Sequence, residues 1–325
     1  MKKQSKISVC IIGAGVIGAG ILKGKKYHGP DKKLSHIGVV SSLKGFSLDC
    51  VVDNNTNIRK LLNKFLACKI VDSVNKISPN INFDIVTICA PDKQHFKLLK
   101  DVIHIKPKLV IIEKPLSDNP DHTKKIVNLY NEKKIKLIVN YTRRFIPFYK
   151  NLAIELKNQK IISSQILYGN GIMHNGCHII DLLKMLFGSI KSYQVLSHLN
   201  DYSSTDPTVS VFLQTQKCPS CFMIGLDNRK FIHWEMNIFT NNYHYKIFND
   251  HREFLIEKVK NNIGTPLGKR FVFDKKIKID YDVALQNIYL EAKNNIENNE
   301  SWRPNIRSIM NTEQLAYNMI EESIN

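Results

Sequence analysis

The chain is predicted to be an α/β protein of two domains. Residues 1–141 should form a doubly wound parallel sheet, and residues 142–325 an α+β domain with a mainly antiparallel sheet. Three observations carry this reading. The first half alternates short β-branched runs with helical stretches, the pattern of a parallel sheet covered on both faces. A glycine-rich turn, Gly13-Ala14-Gly15-Val16-Ile17-Gly18, stands directly behind the first of those runs. Beyond Tyr141, strand-like runs dominate and follow one another closely, as hairpins do. At 325 residues the chain is long enough to bury two cores.

The elements follow in order. Residues 7–12 read as the first strand, and the apolar run from the glycine turn to about Leu22 reads as its helix. Residues 47–52 are the next strand, closed by Asp53. Between the two lies an extra segment, residues 27–44, containing Gly29-Pro30 and a short helical stretch near 34–43. A helix carrying Ile58, Leu61, Leu62 and Phe65 follows, then short strands at 69–71 and 84–89. Residues 95–104 and 121–133 have helical spacing; residues 109–112 and 135–139 are apolar strands. In the second half, strands are expected at 161–167, 191–199, 209–214, 222–226, 235–240 and 243–248. Two amphipathic helices close the chain. One carries Ala284, Leu285, Ile288, Tyr289, Ala292 and Ile296, the other Leu315, Ala316, Met319 and Ile320.

The glycine turn has the residues that dinucleotide binding needs. Gly13 permits the tight turn, Gly15 lets the backbone approach a pyrophosphate, and Gly18 lets the helix pack on the strand. Val16 and Ile17 complete the loop, and the helix N-terminus would present unpaired N–H groups to the phosphates. Asp53 ends the second strand, where a carboxylate can accept hydrogen bonds from both adenosine ribose hydroxyls and repel a 2′-phosphate. No arginine follows it immediately, so NAD is favoured over NADP. The alternative role for Asp53 is to cap the helix that starts at Thr56.

The formal charge of +18 and the pI near 9.5 are compatible with an anionic partner. The lysines are spread along the chain, however, and no zinc-finger spacing, ribonucleoprotein signature or basic tail is present, so no nucleic-acid partner is expected. Lys2, Lys3 and Lys6 before an apolar run imitate a signal peptide, but that run holds the glycine fingerprint. With no span near the ~20 apolar residues of a membrane helix, a cytoplasmic protein without a membrane partner is expected. Seven cysteines form no disulfide framework. Cys10, Cys50 and Cys89 fall in strands, and Cys218-Pro219-Ser220-Cys221 reads as a turn rather than a metal or redox site.

Further motifs appear in register. Ala90-Pro91-Asp92 with His95 follows the fourth strand of the first domain, Glu113-Lys114-Pro115 the fifth, and Asn140-Tyr141-Thr142-Arg143-Arg144-Phe145 the sixth. Asn175-Gly176-Cys177-His178-Ile179-Ile180-Asp181 comes next. In this order and spacing, across nearly the whole chain, they resemble the Gfo/Idh/MocA family of nicotinamide-dependent sugar and polyol oxidoreductases. That resemblance implies an N-terminal Rossmann domain, NAD, a sugar or nucleotide-linked sugar as substrate, and a homodimer or homotetramer formed through the second sheet. Alternation of Val209, Val211 and Leu213 puts those three on one face of it.

The resemblance places Ala90, Pro91, His95, Glu113 and Lys114 at the cofactor, beyond the C-terminal ends of the strands. It gives Lys114 a catalytic or substrate-orienting role. A lysine there can hold a developing alkoxide, and partial burial would tune its pKa. The Lys114–Pro115 bond is a candidate for cis geometry. His178 suits proton exchange with a hydroxyl, and Asp181 lies one helical turn on. The family commonly has an aspartate four positions before this histidine, where this chain has His174. Either His174 contacts the substrate or His178 works with Asp181. Tyr141, Arg143, Arg144 and Asn175 are candidate substrate contacts, the arginines as binders of a phosphate or as structural pairs. The departure at His174 keeps two other functions in view: a catalytically silent dinucleotide-binding sensor and a reductase of a non-sugar substrate.

Overall fold

The computed structural model describes residues 6–22, 25–26, 33–261, 268–298 and 306–324. The chain divides into two compact units, Met1–Thr142 with Asp282–Asn311, and Arg143–Tyr281 with Thr312–Asn325. The boundary expected at 141/142 put residues 282–311 in the second domain. They cluster with the first instead, because Tyr289 and Ile288 are buried there.

The first unit begins with β1 (Ile7–Ile12), α1 (Val16–Ala19), a hairpin of β2 (Ile21–Leu22) and β3 (Lys25–Lys26), and α2 (His36–Ser42). It continues with β4 (Phe46–Val52), α3 (Thr56–Leu62), β5 (Lys69–Val71), β6 (Ile85–Ile88) and α4 (Asp92–Asp101). β7 (Leu109–Ile112), α5 (Pro120–Glu132) and β8 (Lys136–Val139) complete the alternation. Six strands form one parallel sheet in the order β5-β4-β1-β6-β7-β8. Without the small hairpin this is the 3-2-1-4-5-6 order of a Rossmann fold. β6 and β7 are buried along their whole length, as strands covered on both faces must be. The strand order reverses between β1 and β6, which opens a crevice beyond their C-terminal ends.

The first helix departs from expectation. α1 has four residues and stops at Gly20, whose left-handed φ of 66° lets its N–H return to the Val16 carbonyl. The apolar run then continues as β2 rather than as helix. The extra segment does contain a helix, α2, capped by the Ser35 hydroxyl; residues 27–32 of that segment lie outside the described residues.

The second unit contains α6 (Pro147–Glu155), β9 (Ile161–Tyr168) and α7 (Cys177–Phe187). Strands β10 (Ile190–Ser203), β11 (Asp206–Thr215), β12 (Cys221–Gly225), β13 (Glu235–Thr240), β14 (Tyr243–Phe248), β15 (Glu253–Asn261) and β16 (Lys269–Lys278) follow. They form a mixed, mostly antiparallel sheet ordered β10-β11-β12-β9-β13-β14-β15-β16, in which β9 and β12 are the parallel pair. α8 (Ala284–Asn298) belongs to the first unit, and α9 (Ile306–Ile324) runs from the first into the second. Strands β15 and β16 were not expected from the sequence. Val209, Val211 and Leu213 share a face as predicted, but that face is buried within the chain. The opposite alternation carries Phe212, Phe222, Phe239, Phe271 and Phe273, of which Phe273 is 62% exposed. Cys218-Pro219-Ser220-Cys221 forms the β11–β12 turn, closed by Thr215 N–H donating to the Cys218 carbonyl (2.9 Å). Among the described residues no helix is long and apolar enough to cross a membrane.

Candidate active site

The glycine loop sits at the crevice. Gly13 N–H donates to the Val52 carbonyl (2.8 Å), tying the turn to the end of β4. Gly13 has φ +88°, and a Cβ there would lie 2.8 Å from Ala90 N at the end of β6. A Cβ on Gly18 would lie 2.0 Å from the Gly13 carbonyl oxygen. Both positions exclude any side chain. Gly15 is different, since a Cβ on it would meet nothing within 4 Å. Packing inside the chain does not require that glycine; an approaching pyrophosphate would. Val16 is half-buried and Ile17 is 48% exposed beside it. The residues present therefore fit a dinucleotide.

Asp53 locks the loop in place. Its Oδ2 accepts from Ala14 N–H (2.7 Å) and its Oδ1 from Asn55 N–H (2.8 Å). Capping of α3 falls to Asn55, whose side chain accepts from Asn57 N–H and Ile58 N–H. Arg59, one turn along α3, donates to the Asp53 carbonyl (2.8 Å).

Beyond β6 and β7 the remaining candidates of this unit are mostly committed to one another. Ala90 and Pro91 lead into α4. His95 is buried, with Nε2 2.8 Å from the Ala90 carbonyl and Nδ1 2.7 Å from that of Pro115. Both ring nitrogens thus tie together the two loops that carry the neighbouring cofactor candidates. Glu113 Oε1 accepts from Asn140 Nδ2 (2.7 Å) and lies 2.9 Å from His36 Nε2. His36 Nδ1 in turn meets the Tyr289 hydroxyl (2.8 Å), itself 3.0 Å from that of Thr87. Burial alone would raise the Glu113 carboxyl; His36, Asn140 and the Lys114 charge outweigh it and hold the carboxyl below its usual value. Glu113 is accordingly braced inside the unit, directly before Lys114. Lys114 is half-buried, and its bond to Pro115 is cis, as foreseen. Tyr141, a candidate substrate contact, is buried.

In the second unit the two adjacent arginines part ways. Arg144 forks onto Asp181, with Nε–Oδ2 at 2.5 Å and Nη2–Oδ1 at 2.8 Å. Asp181 is buried; burial lifts its carboxyl and the arginine opposes that rise. This ion pair joins two of the candidate site residues to each other. Arg143 is also buried, but it turns to His251, Tyr149 and Trp234. Lys184, on the same helix as Asp181, is pulled down to about 8 by burial, against the carboxylate's attraction.

Residues 172–176 form a π-helical turn before α7. The exposed His174 ring stacks on Tyr202 with centroids 4.4 Å apart, while the backbone N–H of His174 donates to Asp206 Oδ2 (2.8 Å). Asn175 Nδ2 donates to the Gly169 carbonyl (2.9 Å). His178 is half-buried in the first turn of α7.

His36, Tyr149, Trp234, Tyr289 and His251 were not foreseen. His36 follows a capping serine in a segment read only as an insertion. His251 meets Arg143 across 108 residues and stands in a turn at φ +68°. No periodicity or motif connects them.

Comparison with known proteins agrees with this geometry. Residues 7–141 match the Gfo/Idh/MocA family model, described as "Oxidoreductase family, NAD-binding Rossmann fold". An 86-residue segment is 28% identical to the "Uncharacterized oxidoreductase YrbE" of Bacillus subtilis (strain 168). That match spans 26% of this chain and about a quarter (25%) of that protein. The fold is similar to levoglucosan dehydrogenase solved with NADH and L-sorbose, at a TM-score of 0.76 and 14% identity over 98% of this chain and 96% of the other. An oxidoreductase from Agrobacterium radiobacter solved with NAD+, L-tartaric acid and magnesium gives 0.74 and 13%, over 99% and 97%. At these identities the likeness is one of fold.

Proposed function

We propose that residues 7–141, which match the NAD-binding Rossmann model of the Gfo/Idh/MocA oxidoreductases, bind NAD in this chain, and that the whole chain is an NAD-dependent dehydrogenase. Its substrate is a sugar or nucleotide-linked sugar, interconverted between a secondary alcohol and a ketone. The observation that carries the reading is the glycine loop: Gly13 and Gly18 are dictated by packing, while Gly15 leaves an open space of the kind a pyrophosphate needs. Asp53, already bonded to Ala14 N–H, presents its remaining lone pairs to ribose hydroxyls and disfavours a 2′-phosphate, so NAD is preferred over NADP.

The dinucleotide supplies the hydride acceptor for alcohol oxidation. Lys114 places an ammonium beside the substrate oxygen and stabilises the alkoxide as charge develops. His178 takes the hydroxyl proton, and in the reverse direction returns it. His174 contributes a substrate contact. Glu113, braced by His36 and Asn140, fixes the backbone from which Lys114 projects. The enzyme works in the cytoplasm as a homo-oligomer, covering the phenylalanine-bearing face of the second sheet with another copy.

NADH binding by calorimetry or nicotinamide fluorescence tests the first claim, and no binding at millimolar cofactor ends it. Lys114→Ala tests the second. Turnover on the sugar that reduces NAD+ should fall at least about a hundredfold with cofactor affinity nearly unchanged. Equal turnover would move the chemistry elsewhere.

A further inference from the structure

We propose that the second unit contains a subsite for an anionic group of the substrate, a carboxylate or a phosphate, received by the N–H donors of Arg143 and Trp234. The assignment rests on the dehydrogenase reading for its use, but its observations are independent of the glycine loop. Arg143 is 5% exposed and Trp234 3%, and the two touch, with the guanidinium carbon 5.4 Å from the indole ring. Arg143 Nε and Trp234 Nε1 are both buried without a hydrogen-bond partner. Unsatisfied buried donors are rare in folded proteins, and two on touching side chains call for an acceptor.

The charge balance says what kind of acceptor. An arginine is protonated at every accessible pH and only donates. Arg143 Nη2 lies 2.8 Å from His251 Nε2, which must therefore accept. His251 then keeps its proton on Nδ1 and donates to the Tyr149 hydroxyl (2.9 Å). Burial foremost, then the charges of Arg143 and His178, hold His251 well below its usual pKa, so the ring is neutral. Tyr149 is neutral too, its phenol pushed up by burial. The neighbouring carboxylate, Asp181, is spent on Arg144. A guanidinium is thus held out of water with neutral groups as its direct partners, and the carboxylate whose charge reaches it, Asp181, is already paired with Arg144, a state that is unfavourable unless a further counter-charge arrives. His178 acts on His251 electrostatically, so the subsite lies within electrostatic reach of the residue assigned to proton transfer.

The sequence contains two tryptophans, Trp234 and Trp302, so a Trp302→Phe chain reports Trp234 alone. In that full-length chain, saturated with NAD+, indole emission is followed at constant ionic strength. Inorganic phosphate, acetate and chloride are titrated separately, then D-glucose 6-phosphate, D-glucuronate and D-glucose. A saturable change is expected with phosphate or acetate and not with chloride, and the arm that saturates first identifies the anion. The matching charged sugar should bind more tightly than D-glucose. In Arg143→Gln the apparent affinity should drop by about tenfold to a hundredfold. Arg143→Lys, which keeps the charge but not the planar fork, should fall between and serves if Arg143→Gln does not fold. Equal responses to all three ions, or an undiminished response in both variants, would overturn the subsite. Failure to bind NADH in the same chain would overturn the dehydrogenase reading and leave the anion titration interpretable.

Discussion

Gly15 and Gly18 stand three residues apart in one loop, yet substitution by alanine should act on different properties. At Gly15 the backbone has φ −73° and ψ −151°, which alanine adopts without strain, and the added methyl meets nothing within 4 Å. Alanine is a poorer N-cap than glycine by up to about 1 kcal/mol, but it lowers the entropy of the unfolded chain by a similar amount. Gly15→Ala should therefore change stability by no more than about 0.5 kcal/mol, or about 2 °C in Tm. Its methyl occupies the space reserved for the pyrophosphate, so NADH affinity should fall at least about tenfold, the equivalent of about 1.4 kcal/mol.

At Gly18 the methyl would stand 2.0 Å from the Gly13 carbonyl oxygen, a backbone atom that cannot rotate away. The loop and helix must separate, at a cost of about 3 kcal/mol, so Tm should drop by about 6–12 °C. Differential scanning fluorimetry without cofactor, with NADH titration of each variant, reads both quantities. If Gly15→Ala binds NADH as the wild type does, the phosphates do not cross Gly15 and the central reading fails. If Gly15→Ala destabilises as much as Gly18→Ala, the open space is not there.

Asp181→Asn leaves Arg144 buried without its counter-charge and should cost about 3 kcal/mol in urea denaturation. A loss of turnover with stability unchanged would return Asp181 to the catalytic set. His251 gives a pH test. Its native pKa is depressed, so as pH falls through about 6.5 the unfolded chain takes up a proton that the native chain refuses. Stability should then decline by up to about 1.4 kcal/mol per pH unit. It is fully retained above that range. In His251→Gln the decline between pH 6.5 and 5 should be shallower by that amount; parallel curves for the two proteins would show that the ring is not buried neutral.

What the sequence revealed and what it hid divide along the range of the interactions involved. β13 and β14 were legible to the residue because alternation is a local signal and their inward positions are apolar. β16 escaped notice because an edge strand keeps solvent along it: Lys-Arg-Phe-Val-Phe-Asp-Lys-Lys-Ile-Lys is exposed over most of its length and reads as a charged loop. α1 was overdrawn because Gly20, an end signal in the left-handed region, looks like one more small residue in an apolar run. The glycine loop was readable because its demands are backbone demands at fixed spacing.

The arginines were not readable for the opposite reason. Arg143 and Arg144 are the same residue type in one short turn, and nothing local separates them. Topology does. Asp181, 37 residues on, reaches Arg144, while His251, 108 residues on, reaches Arg143. One guanidinium receives a counter-charge and becomes part of the scaffold. The other receives a neutral ring that fixes its orientation and leaves its charge uncompensated. A side chain held rigidly in the wrong electrostatic environment for its own stability is the expected signature of a binding residue. For this protein, the partner each arginine finds is therefore more informative about function than the arginine itself.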